Sequence, residues 1–299
     1  MKTIEYLSDP MLAGMYWPSI ITGALLALMC SLLSVLVVLK RMAFVGQGVS
    51  HAAFGGMGIA ALLAAITGST ATIGVSTGQY AIVFAFCLGA GLLMAMLSRR
   101  GRIEADTAIG IVLVASMAVG SLLIFATRST VQWESFLFGS ILQVGWTDAI
   151  IAGVVGAAIL ATMLVVRRPL LFWAFDENAA RAWGVRTRLM QLILMIMLTL
   201  ATVTAMRLAG VVLATALLVL PGAAALRLSR RMGPVLLFAI LGGVLGVLAG
   251  IILGFEIDVP PGACIVCVLT LYFAGALAYE LLMPRAKAST SHASAPTRA

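Results

Sequence analysis

The chain has 299 residues, 62% of them hydrophobic and 10% charged, with a net charge of +8. Soluble domains carry roughly a quarter of their residues as charged groups, so these proportions exclude an ordinary globular fold. The basic balance does not point to nucleic acid either: Lys and Arg sit in short clusters between apolar runs, as in the loops of a membrane protein.

Runs of about 20 apolar residues, each long enough to cross ~30 Å of hydrocarbon as a helix, recur along the chain. Placing the basic clusters on the cytoplasmic side gives a serpentine. After an external segment with Glu5 and Asp9, span 1 (17–39) runs inward to Lys40 and Arg41. It is too long for a signal-peptide core and lacks a small-residue cleavage site, so it is retained. Span 2 (43–66) leads to the external loop GSTATIGVSTGQ, span 3 (79–97) returns to SRRGRIEAD, and span 4 (107–126) leads out again. Span 5 (148–166) comes back to Arg167 and Arg168, followed by the cytoplasmic stretch FDENAARAWGVRTR. Span 6 (189–206) goes out and a shorter segment (210–226) returns. Span 8 (234–254) reaches the loop FEIDVPPG, and span 9 (262–282) ends before Pro284. Sixteen of the nineteen Lys and Arg then lie inside, the exceptions being Lys2, Arg128 and Arg207. The expected architecture is all-α and polytopic, about eight to nine spans in one domain over 1–284. The polar tail 285–299 is expected to be disordered in the cytoplasm.

The stretch VGQGVSHAAFGG holds His51, one of two histidines; the other, His292, lies in the tail. Nine residues into span 2, His51 falls ~13–14 Å deep, near the midplane. Gln47 lies one helical turn before it and Ser50 beside it. Gly46, Gly48, Gly55, Gly56 and Gly58 bracket the cluster, as where loosened backbone lines a cavity. Neutral imidazole suits first-row divalent metals, which makes His51, with Gln47 and Ser50, a candidate translocation-path ligand set. The competing reading has His51 bonded to a neighbouring carbonyl, locking two helices.

Three further features stand out. Asp176 and Glu177 suit the start of a short helix reaching Trp183, with arginines at its end and Gly184 breaking it; this is either a connector or a docking element. Pro221-Gly222 is expected to kink or break the helix around it. Gly242, Gly246, Gly250 and Gly254 repeat every four residues and predict a close helix–helix contact. Cys264 and Cys267 form a C-x-x-C pair without further ligands and read as small hydrophobes, like Cys30 and Cys87.

Together, KRMAFVGQGVSHAAFGG, FDENAARAWG, ALLVLPGAAA and IDVPPGACIV resemble, in order and over about residues 17–283, the permease subunits of the ABC-3 family of zinc, manganese and iron importers. The resemblance implies a BtuC-like permease fold in a bacterial inner membrane, paired with a second copy or a paralogous permease. It further implies a cytoplasmic ATPase docked through Asp176, Glu177, Ala179, Ala180 and Gly184, and a metal-binding protein outside. No cofactor is implied beyond the transported metal. ATP belongs to the partner, since the chain has no G-x-x-x-x-G-K-[ST] loop. The family's acidic residue four before the histidine is Gln47 here, so one negative charge is missing. Asp106, Glu256, Asp258 or a partner permease are candidates to supply it. An ion-gradient-driven transporter is the alternative, but no carboxylate sits deep in a span to act as its relay. A membrane-embedded enzyme would need a second catalytic group at depth, and none is present.

Overall fold

The computed structural model describes residues 10–67, 77–99, 104–128 and 144–282, and every regular element among them is a helix. These are α1 (Pro10–Leu39), α2 (Val45–Ile66), α3 (Thr77–Arg99), α4 (Ala105–Ala126), α5 (Trp146–Phe175), α6 (Glu177–Ala182), α7 (Thr187–Leu228), α8 (Met232–Ile257) and α9 (Pro261–Leu282). Helices are what a lipid environment demands, because each satisfies its own backbone groups. The described residues supply nine membrane-length segments, since α7 contributes two, Thr187–Met206 and Leu208–Leu228. The expected external loop GSTATIGVSTGQ, the N-terminal acidic segment and the 285–299 tail lie wholly or largely outside the described residues, whereas FEIDVPPG holds the short turn between α8 and α9.

The division of α7 occurs at Gly210, with φ 82° and ψ 165°, a region essentially reserved for glycine. Thr202 and Leu218 would stand about 24 Å apart on a straight helix. Yet a Cβ built on Gly46 would lie 3.9 Å from Thr202 Oγ1 and 3.0 Å from Leu218 Cδ1. The chain therefore folds back at Gly210 without a loop. At Pro221-Gly222, where a kink or break is expected, the helix does not break: backbone angles stay helical through both residues. A Cβ on Gly222 would come within 2.5 Å of the Ser34 carbonyl, so this dipeptide is where α7 presses against α1. Membrane helices tolerate proline because their surroundings compensate for the missing N–H.

The folded α7 is the hub, packing on α1, α2, α3, α5, α6, α8 and α9. On one side lie α2, α3 and α4; on the other, α1 joins α5 and α8, and α9 joins α8. The core runs through α1 and α7, with Leu26, Leu33, Leu36, Leu194, Leu198 and Leu213 nearly inaccessible. The outer faces of α4 and α5 expose apolar side chains such as Leu122, Phe125 and Val165, as lipid contact requires.

Glycine makes the closest contacts. On α8, added Cβ atoms at Gly242, Gly246, Gly250 and Gly254 would meet Tyr272, Leu269, Ile265 and Pro261, all on α9. On α2, Gly55 faces Phe86 and the Ser116 carbonyl, Gly56 faces Val83, and Gly58 faces Gly120. The α2 glycines therefore seat α3 and α4 rather than loosen the backbone, and the helix is unbroken from Val45 to Ile66.

Span 5 is longer than its hydropathy indicated. α5 continues past Arg167, Arg168 and Pro169 to Phe175 because Leu170, Trp173 and Ala174 still find buried positions. Glu280 is ion-paired with Arg227 at 2.6 Å, and that guanidinium also stands over Phe273. All four cysteines are free thiols.

Candidate functional site

Two places in this bundle carry chemistry. The first is the face of α2 turned away from its neighbours. Phe44 (56% exposed) and Gln47 are open, and His51 is half-exposed. They succeed one another at three- and four-residue steps and so form one stripe. The His51 ring makes no hydrogen bond among the described residues, so it does not act as a lock between helices here. Ser50 points the other way: it is fully buried and its hydroxyl has no partner, as is also true of Thr202. Gln47 and His51 therefore share the open face and Ser50 does not.

The candidate carboxylates are placed by packing register. Gly48 lies against Ile109 and Gly55 against Ser116, so residue 112 of α4 stands level with His51. Asp106, six residues earlier, is about 9 Å nearer the basic end of the bundle. Glu256 and Asp258 close α8, which packs on α1, α7 and α9 rather than beside α2. Among the described residues no three His, Cys, Asp or Glu side chains come together as a metal cage. Among the described residues of one chain, then, the stripe offers an imidazole and an amide but no negative charge.

The second place is α6, at the basic end. Asp176 caps it by accepting from the Ala179 N–H at 2.9 Å. At its other end Gly184 N–H donates to Arg181 O (3.1 Å) and Val185 N–H to Ala180 O (2.9 Å). With Gly184 at φ +79°, this is a glycine-terminated helix cap. Ala180 is buried and holds the helix down, while Asp176, Asn178, Arg181 and Ala182 are exposed and Trp183 is 82% exposed. Exposed indoles are favoured both in protein–protein contacts and at the membrane–water boundary. Sequence reading took this short helix to be exposed but assigned the Trp183 indole no role of its own.

A second residue it missed is Lys40, at the end of α1. Its ammonium donates to Glu177 Oε2 at 3.1 Å and to Trp173 O at 3.3 Å, and lies 3.8 Å from the centroid of the Trp173 ring. Glu177 also accepts from Arg181 at 3.2 Å. The lysine thereby clips α1 to the α5–α6 corner.

A bundle of nine membrane-length segments, with a polar stripe at depth and a capped helix outside the spans, defines a polytopic membrane permease. The chain belongs to the ABC 3 transport family, whose pattern matches residues 14–280. It is 34% identical to the manganese transport system membrane protein MntC of Halalkalibacterium halodurans, over 92% of this chain and 90% of that protein. To the manganese transport system membrane protein MntB of Synechocystis it is 31% identical, over 90% of this chain and 84% of that one. Among solved structures, PsaBC from Streptococcus pneumoniae in complex with Fab superposes with a TM-score of 0.74 at 28% identity, covering 93% of this chain and 98% of the other. A metal-chelate type ABC transporter in an inward-facing conformation shares the fold at a TM-score of 0.67 and 18% identity. The protein is thus a permease of an ABC transport system, not its ATPase.

Proposed function

We propose that two permease chains, identical or paralogous, meet across the open face of α2 and import a divalent first-row metal between them. Manganese(II) is the foremost substrate, given what its relatives carry, with iron(II) and zinc(II) as competitors to be tested. The observation that carries this reading is the Gln47–His51 stripe: two polar side chains within a span, facing outward from the chain. Left against lipid they would be costly. Against a second chain they line a passage, with each permease giving one imidazole and one amide oxygen.

The basic end is cytoplasmic on this reading, by the excess of Lys and Arg there. An ABC ATPase seats on α6 around Trp183, and ATP-driven closure of two such subunits moves the bundle between its two access states. A metal-binding protein on the far side delivers the ion. The tail from 285 is assigned to the cytoplasmic side on the same reading.

The test is co-purification of the ATPase followed by manganese(II) uptake. His51→Ala should keep the ATPase bound and lower uptake by more than about tenfold, the scale of losing a ligand contact. Gly184→Arg, forced into a positive φ and projecting bulk at the α6 tip, should prevent assembly. Normal uptake by His51→Ala would remove the histidine from the path.

A further inference from the structure

The docking reading leaves open how motion at α6 reaches the helix that bears His51. α6 packs on α5 and α7, while His51 lies on α2. The turn between α1 and α2 is the shortest covalent route to that helix, and it is stiff. Arg41 N–H donates to Val38 O (3.1 Å) and Met42 N–H to Val37 O (2.8 Å). Val45 N–H then donates to Met42 O (3.1 Å), and Gly48 N–H to Phe44 O (2.8 Å). Arg41 adopts φ 55°, a left-handed conformation that non-glycine residues rarely take. Met42 and Val45 are buried and pin the turn in place. From Val45 to His51 is six residues of continuous helix, about 9 Å. A shift of the backbone at Lys40 is therefore passed through this turn to the base of α2.

We propose that Lys40 is the coupling residue of this permease, the side chain through which the docked α6 helix moves the α1–α2 turn and so the His51 stripe. The ammonium is anchored three ways, by the Glu177 carboxylate, the Trp173 carbonyl and the Trp173 ring face, and all three belong to the α5–α6 corner. The lysine side chain is only 14% exposed, and although Glu177 at 43% still meets solvent, the Trp173 carbonyl and ring hold the ammonium from the buried side. Glu177 is shared with Arg181 on the exposed side of α6. A partner seated on α6 therefore touches one end of a chain, Arg181–Glu177–Lys40, whose other end is the α2 turn. Lys40 itself meets neither metal nor ATPase; its role is positional.

This inference rests on α6 being the docking element, and the experiment separates the two. The full chain is co-expressed with its ATPase, reconstituted in proteoliposomes and supplied with ATP and manganese(II). Import, ATP hydrolysis, ATPase retention and thermal melting are read together. Lys40→Met should retain the ATPase and hydrolyse ATP at close to the unmodified rate. It should import about 5- to 150-fold less manganese per ATP, the usual span of coupling between sites. Lys40→Arg, which keeps the charge and the ring contact, should restore import. A purely structural clip would instead lower melting, retention and import together, and that result overturns the proposal. Unchanged import by Lys40→Met overturns the lysine's role alone, while normal assembly of Gly184→Arg overturns the docking reading and the lysine's role with it.

Discussion

At Gln47 a single atom type decides how strongly a cation is held. An amide oxygen coordinates a divalent metal but brings no charge, and two permeases facing each other bring none either unless one is a paralogue with an acid at this position. Ligand charge count sets affinity over decades in oxygen-rich sites. Gln47→Asp should therefore tighten manganese(II) binding to the purified permease by at least about tenfold, measured by calorimetry. It should slow release if the passage is a homodimer. No change in affinity would mean that position 47 does not line the passage. Neither the half-exposure of His51 nor the burial of Ser50 could be read from the sequence. Both residues lie within one turn of Gln47, and only the packing of α3, α4 and α7 decides which of the three is left open.

The α8–α9 pair shows what spacing can and cannot specify at the level of elements. Gly250 leaves no room for a methyl group, since an added Cβ would lie 2.5 Å from Ile265 Cγ1 and 2.6 Å from its backbone nitrogen. Gly250→Ala should destabilise the bundle by about 1–3 kcal/mol, the cost of overpacking a rigid contact. Gly275→Ala, which meets nothing within 4 Å, should leave melting in detergent unchanged. Equal melting of the two variants would contradict the contact. Four glycines at four-residue spacing announce such a seam. The existence and order of the spans were legible too, because twenty apolar residues in lipid have little choice but helix. Other features were not. α5 runs nine residues beyond its expected end because Arg167 and Arg168 do not stop a helix when Leu170 and Trp173 behind them have buried seats. Gly210 is one glycine among thirty, and nothing local distinguishes it, whereas Pro221, the obvious breaker, stays helical. The Lys40–Glu177 contact joins residues 137 positions apart and has no local signature at all.

For the molecule as a whole, the open stripe predicts a difference in water access between faces. With the four native cysteines changed to alanine, Gln47→Cys in the assembled transporter should react with a small water-soluble thiol reagent and be protected by manganese(II). Leu122→Cys, on the 70% exposed apolar face of α4, should stay unreactive in lipid. Labelling of both sites at equal rates would mean that the Gln47 face borders the bilayer rather than a passage.

The loop-free reversal at Gly210 bears on how such a molecule can change shape. Two antiparallel arms joined by one residue, with no slack between them, cannot slide past each other or part at that end. They form a single strut at the centre of the bundle, and alternation between inward and outward openings must come from the surrounding helices tilting about it. The strut is the fulcrum, and the levers are the elements that lean on it.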